Sequence, residues 1–312
     1  MGSSDLQAMS DPALGRSVDG LSVVVASFRS VDLVDACVEA LDRAVAEISP
    51  RPARVFLARR GDAGDVRHLE RGRSWLTVVA CPGATTIPEL RGAGMGAAGG
   101  GWIAVTEDHC LVEPDWLSVL EGRTGEDVDV VGGGVGNARA GLVNWGAYFS
   151  EYGFFSSFRP EQPGPLLVTG ANVLYAPEVS ATVGEWAREG LWEDVIHGRL
   201  HSSGAHLSFE PAARVRQNAR YSFVAFCGDR FEHGRDYARV RLREQEVGRL
   251  SRALTTPLLP VVLLARVRRS ARGESPTMFR ASTPFIFAFL AAWAAGEAAG
   301  YLLGPEKESR DR

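Results

Sequence analysis

The 312-residue chain is 45% apolar and 23% charged, with a formal net charge of −4 and a mean hydropathy of −0.05. That size and composition suit one large domain, or one domain with an appendage, and exclude a multi-pass membrane protein. Cys37, Cys81, Cys110 and Cys227 are scattered, with no CxxC pair, which excludes a disulfide scaffold and points to a reducing compartment.

Residues 1–19 are polar and acidic with no apolar run, so they are expected to form a disordered lead-in rather than a secretory signal. The first ordered segment is "LSVVVASF" (21–28), apolar on both faces as a central strand of a covered sheet must be. "DLVDACVEALDRAVAEI" (32–48) follows with apolar residues at helical spacing. "ARVFLARRG" and "SWLTVVACPG" read as two further strands on either side of the polar "DAGDVRHLERGR". This alternation predicts a layered α/β domain.

"IPELRGAGMGAAGGG" (87–101) is helical in spacing despite its glycines. It is not a dinucleotide fingerprint, because "IPEL" separates the glycines from the preceding strand, and close packing is the better reading. "WIAVTEDH" (102–109) is then a strand that ends in Glu107, Asp108 and His109. In open α/β sheets ligands gather at the carboxyl ends of strands, which makes these three residues candidates for ligand contact, although acids are also ordinary members of solvated turns. Farther on, "LLVTGANVLYAPE" (166–178) offers Asn172, a side chain that both donates and accepts. "GLWEDVIHGRL" (190–200) sets Glu193 and Asp194 at a helix start, where acids also complement the helix dipole. His197, His201 and His206 have no zinc-site spacing and read as structural or solvated.

Beyond residue 220 the pattern changes. Residues 214–272 hold fourteen arginines against five acids, and Lys307 is the single lysine of the chain. The apolar segment 283–304 approaches the ~20 residues needed to span a bilayer but contains Glu297. Amphipathic helices lying in the membrane interface fit both features, with arginines meeting anionic headgroups; a buried helical hairpin or a dimer interface fits nearly as well. The arginine excess lacks interleaved aromatic residues and the whole chain is acidic, which argues against nucleic acid as a partner.

Taken together, "SVVVASFRS", "LRGAGMGAAGGGWIAVTEDHCLVEPDWL", "LVTGANVLYAPE" and "GLWEDVIHGRLHSSGAHLSFEPAARV" resemble, in order and spacing, the inverting family 2 glycosyltransferases of the GT-A fold over roughly residues 20–220. The tail is similar to those of bacterial, membrane-associated members. The resemblance implies an α/β GT-A domain over 20–225, with a mostly parallel mixed sheet flanked by helices, and a helical, membrane-associated appendage over 226–312. It also implies transfer from a nucleotide diphosphate sugar to a glycan or polyprenol-linked acceptor, at the cytoplasmic face of the cell membrane.

Counting back from Trp116, "EDH" takes the place of the family's D-x-D motif. By that alignment Glu107 contacts the ribose and His109, with Glu107, binds a divalent metal. A one-residue shift gives the metal to Asp108 instead. His in place of Asp suits Mn²⁺ better than Mg²⁺. Ala26, Ser27 and Arg29 at the end of the first strand, Arg91, Asp108 and Asn172 complete the implied nucleotide-sugar contacts. Asp194, with Glu193 beside it, takes the place of the catalytic base. Arg59 and Arg60 stand where the family keeps an acid against the donor base, which leaves that contact open. A non-catalytic scaffold retaining the fold and a nucleotidyltransferase of related layout are the alternative readings.

Overall fold

The computed structural model describes residues 20–48, 53–84, 86–157, 168–244, 248–270 and 273–304; the expected lead-in, 1–19, lies outside them. The elements run β1 (Leu21–Ser27), α1 (Val31–Glu47), β2 (Arg54–Arg60), β3 (Leu76–Cys81), α2 (Ile87–Ala98), β4 (Trp102–Glu107), β5 (Cys110–Val112), α3 (Trp116–Glu121), β6 (Val130–Asn137), α4 (Leu142–Tyr152), β7 (Asn172–Tyr175), α5 (Pro177–Arg188), α6 (Glu193–Ser202) and β8 (Leu207–Gln217). Four helices complete the described chain: α7 (Phe223–Glu244), α8 (Arg249–Thr255), α9 (Leu259–Ser270) and α10 (Pro276–Leu303).

The strands form one eight-stranded sheet in the order β3-β2-β1-β4-β7-β6-β8-β5. β3, β2, β1 and β4 are mutually parallel, β7 runs antiparallel between β4 and β6, β8 is parallel to β6, and β5 closes antiparallel on β8. β1 lies between β2 and β4 with Val23, Val24, Val25 and Ala26 fully buried, as a strand covered on both faces requires. One face packs on α1, whose Val34, Cys37, Val38, Leu41 and Val45 make a buried stripe at helical spacing. The other packs on the α2, α5 and α6 side through Met95, Val183 and Ile196.

α2 begins at a capping box, Thr86 with Glu89, and ends at Gly99 in the left-handed conformation, φ 78°. Its glycines serve packing, as the sequence suggested. A Cβ on Gly92 would enter the backbone of α5 at Arg188, and one on Gly94 would collide with Val24 of β1. The polar "DAGDVRHLERGR" contains a single 3-10 turn, Arg67–Glu70. β6 reads "VVGGGVGN", a sequence whose glycines disfavour a strand in isolation. At Gly133 the reason is spatial, since the Asn172 side chain and the Ala213 carbonyl occupy the room a Cβ would need.

The C-terminal helices are docked on this domain. α10 packs between α7 and α4, with Phe289, Phe226 and Ala147 forming a shared cluster. Gly296 and Gly300 let the backbones approach: a Cβ on Gly296 would strike the Phe231 carbonyl. Glu297 is buried and accepts from Trp293 Nε1 at 3.2 Å and from Tyr301 OH at 3.0 Å. The segment 283–304 therefore forms the inner helix of the appendage. Its outer helices, α8 and α9, with the 3-10 turn Thr256–Leu258 between them, expose Leu250, Leu254, Leu258, Val261 and Val262. The expected domain boundary at 225/226 falls inside α7.

Candidate active site

Parallel strands β1 and β4 are in register from Leu21–Trp102 to Ala26–Glu107, so both end at one level. Beyond that level the chain turns with Glu107, Asp108 and His109, only 4%, 0% and 2% exposed. Charges so deep need partners, and each residue finds a different set.

Asp108 ties the two strand ends together. Its amide donates to the Ala26 carbonyl at 3.1 Å. Its Oδ2 accepts from Ser27 Oγ at 3.1 Å and from the amides of Phe28 and Arg29, both at 2.7 Å. Arg59 adds the neighbouring strand to this knot: Nη1 donates to Ser27 Oγ at 3.2 Å and to the Arg29 carbonyl at 2.6 Å, while Nη2 pairs with Asp65 at 2.6 Å. Arg59 thus fills the second-strand position with an internal strut.

Glu107 faces the other way, into α2. Arg91, itself 7% exposed, donates from Nη2 to Glu107 Oε1 and from Nη1 to Glu193 Oε2 at 2.7 Å. One guanidinium thereby joins the end of β4 to the start of α6. The Gly170 amide also donates to Glu193, at 3.3 Å. Burial alone would raise the Glu193 carboxyl, but the Arg91 charge and hydrogen bond hold it below the ordinary value. Asp194, next along α6, is reached by solvent and lacks that clamp. Desolvation by the surrounding protein and the adjacent Glu193 charge raise its carboxyl above the ordinary value. The two acids that looked alike in sequence are chemically distinct: Glu193 is a fixed anion, and Asp194 is an accessible carboxylate with strengthened basicity.

His109 Nε2 lies 3.1 Å from the Tyr152 hydroxyl. Its Nδ1 lies 3.4 Å from Glu107 Oε2 and 3.8 Å from Asp108 Oδ1, and both Nδ1 and Oδ1 are buried without a hydrogen-bond partner. Among the described residues no group of three His, Cys, Asp or Glu side chains forms a ready metal cage. A divalent ion that arrives with a diphosphate needs only one or two protein donors, because phosphate oxygens and water complete its shell. The unpartnered Asp108 Oδ1 and His109 Nδ1, with Glu107 Oε2 alongside, fit that limited role.

Asn172 sits behind this layer. Its Nδ2 donates to the carbonyls of Gly134 and Ala213, both at 2.9 Å, and its Oδ1 accepts from Trp116 Nε1 at 2.9 Å. The Asn172–Trp116 pair braces the junction of β7, β6 and β8. His197 is structural: its Nε2 meets Tyr175 OH at 2.8 Å, and burial lowers its imidazole to about 4. Sequence reading did not find Tyr152, whose helix carries no motif, or Arg230 and His233 on α7, which fell within the arginine-rich stretch read as facing anionic headgroups.

No family model matches the sequence, and no curated protein matches it. Solved structures do resemble the fold. The mannosyltransferase PcManGT from Pyrobaculum calidifontis, in complex with GDP-Man and Mn²⁺, superposes with a TM-score of 0.56 at 12% identity, covering 89% of this chain and 86% of that one. TarS 1–349 from S. aureus gives 0.46 at 12% identity, with 90% and 89% covered. Glucosyl-3-phosphoglycerate synthase from Mycobacterium tuberculosis, in complex with Mn²⁺, UDP and phosphoglyceric acid, gives 0.43 at 15%, with 68% and 73% covered. With the mannosyltransferase likeness and the curled, mixed sheet, the chain has the GT-A fold.

Proposed function

We propose that the chain is an inverting glycosyltransferase of the family 2 type, which moves a sugar from a nucleotide diphosphate sugar to a glycan or polyprenol-linked acceptor. The observation that carries this reading is the Arg91 bridge. Two acidic motifs far apart in sequence, at Glu107 and at Glu193–Asp194, meet through one guanidinium at the carboxyl end of the sheet. The Mn²⁺ and GDP-Man bound by the mannosyltransferase add support from a protein of like fold.

In this reading Asp194 Oδ takes the proton of the acceptor hydroxyl as its oxygen bonds to the anomeric carbon. The bond from that carbon to the diphosphate breaks on the opposite face, and its electron pair leaves with the nucleoside diphosphate. Glu193, ionised and held by Arg91, fixes the start of α6 so that Asp194 keeps its place. Arg91 and Glu107 set the donor side. Asp108 and His109, with Glu107, would hold a divalent ion, whose chemistry is to neutralise charge developing on the leaving diphosphate. A donor set that mixes imidazole nitrogen with carboxylate suits Mn²⁺.

The membrane part of this reading rests on α8 and α9. Exposed Leu250, Leu254, Leu258, Val261 and Val262 occur among Arg249, Arg252, Arg266, Arg268 and Arg269, a combination suited to lying in an anionic lipid surface. In this reading the protein works at the cytoplasmic face of the cell membrane, with α8 and α9 lying along the lipid surface. Vesicles with anionic lipid should co-sediment the wild-type chain and lose the variant Leu254→Glu/Val261→Glu.

The deciding experiment is thermal stabilisation by a panel of nucleotide diphosphate sugars with Mn²⁺, with Mg²⁺ and with chelator. A metal-dependent shift for one nucleotide, reduced in His109→Ala, is the expected result. No shift with any nucleotide would overturn the donor site and favour a non-catalytic scaffold.

A further inference from the structure

Arg29 and Arg230 form no ion pair with a carboxylate among the described residues, and the Nε of each is buried without a hydrogen-bond partner. Arg29, just past β1, lies 4.9 Å from the ring centroid of Phe28 and 5.9 Å from that of Tyr221. Tyr221 packs on Phe226 with ring centroids 4.4 Å apart. One helical turn farther along α7 stands Arg230, only 8% exposed, with its guanidinium 4.4 Å from the Trp293 ring. His233 follows three residues later, edge-on to Trp192 at 6.0 Å.

Burying cations near one another without counter-ions is unfavourable. Here the cost is only partly offset. Aromatic rings support the guanidinium planes, and the carboxylates of Glu151, Glu107 and Asp229 act from beyond ion-pair range. A guanidinium stacked on a ring keeps its in-plane N–H donors free at the edge, the geometry that grips phosphate bidentately. His233, kept neutral by burial and by the Arg230 and Arg29 charges, can add one further donor.

The position relative to the base indicates whose phosphate this is. Arg230, His233, Tyr237 and Arg241 recur every three or four residues and so share one side of α7. Trp192, against which His233 rests, is the N-cap of α6, two residues before Asp194. At the far end of the stripe the Arg241 charge acts to lower the Asp194 carboxyl, while the Asp194 charge acts to raise the Tyr237 hydroxyl. The base marks the side from which the acceptor attacks. We propose that Arg230 and His233, faced by Arg29, form a subsite for a phosphate group carried by the acceptor. This inference rests on the glycosyltransferase reading for the word acceptor, though not for the binding of phosphate.

The test is calorimetric titration of the full chain with inorganic phosphate, alone and after saturation with the nucleoside diphosphate that the panel identifies, or with both UDP and GDP if it identifies none. Phosphate should bind in both states. Arg230→Gln should weaken that binding about tenfold or more, as loss of a charge-assisted contact does, while nucleoside diphosphate binding persists. Arg230→Lys, which keeps the charge but not the fork, should give an intermediate loss and serves if the glutamine variant does not fold. Phosphate binding unchanged by both variants would overturn the subsite. Complete displacement of phosphate by the nucleoside diphosphate would overturn its assignment to the acceptor, because the same groups would then be holding the donor. If no nucleotide binds but phosphate still depends on Arg230, the glycosyltransferase reading fails and the anion site stands.

Discussion

Arg91 and Arg230 are buried to nearly the same degree, yet their surroundings treat them in opposite ways. Arg91, on a helix of the sheet domain, is held by two carboxylates from separate elements. Arg230, on a docked helix, has an aromatic ring and no ion pair among the described residues. The difference separates a charge that belongs to the framework from one whose partner comes from solution. Depth of burial does not tell them apart; the count of opposing charges does.

The largest effect should come from the proposed base, which neither arginine pairs with. Asp194→Asn should lower the transfer rate by about 10²–10⁴-fold, the range for loss of a general base, with nucleotide-dependent thermal stabilisation retained. A near wild-type rate would remove Asp194 from the chemistry. On the acid side, the rate should begin to fall at a pH above the ordinary aspartate range, because desolvation and Glu193 raise this carboxyl.

Arg91→Met tests the framework half of the comparison. It leaves Glu107 and Glu193 without their counter-charge, so chemical denaturation should show a loss of about 3–5 kcal/mol.

His197→Gln probes the wall beneath Glu193. The buried imidazole protonates near pH 4 in the folded chain and near 6.5 unfolded. Its contribution is therefore complete above about pH 6.5 and is lost as pH falls toward 4, since there the unfolded chain takes up a proton that the folded one refuses. That slope is worth about 3 kcal/mol, and it should disappear from stability-versus-pH curves of the variant.

Gly92→Ala forces a methyl group into the α5 backbone and should cost about 1–3 kcal/mol in the same denaturation assay. Arg230→Met should have the smallest effect on stability: unchanged, or higher by up to about 1 kcal/mol, because an unpaired buried cation is replaced by an apolar chain. A loss as large as that of Arg91→Met would erase the contrast between the two.

The parts of the molecule legible in sequence were those that depend on one local pattern. β1 and α1 are an apolar run and an amphipathic stripe, and the level at which β4 ends follows from its length. The resemblance assigns the base to Asp194, but the clamp that makes Glu193 a fixed anion was not legible, because Arg91 is distant in sequence and brought near only by the fold. β6 was hidden by its glycines, of which Gly133 is explained by neighbours on β7 and β8 and Gly132 and Gly134 by Val168 and Ser157. The segment 283–304 has the composition of a membrane helix, yet what covers it is α7 and α4, a fact of packing that composition does not carry. Arg230 and His233 were invisible for the converse reason: which arginines of an arginine-rich helix turn inward is set by its docking face, and composition does not carry that.

The close backbone contact of α10 with α7 gives the molecule a mechanical property. At Gly296 and Gly300 the two helices meet without side chains between them, and α10 also rests on α4, the helix that ends at Tyr152 beside His109. Side chains cushion most helix pairs and let them slide; a joint with none behaves as a weld. The outer helices are thus fastened to the proposed active site through a stiff strut, so that the distance between whatever surface they rest on and Asp194 is set like the height of a tool in a fixed mount. An acceptor would be selected by its reach as well as by its chemistry.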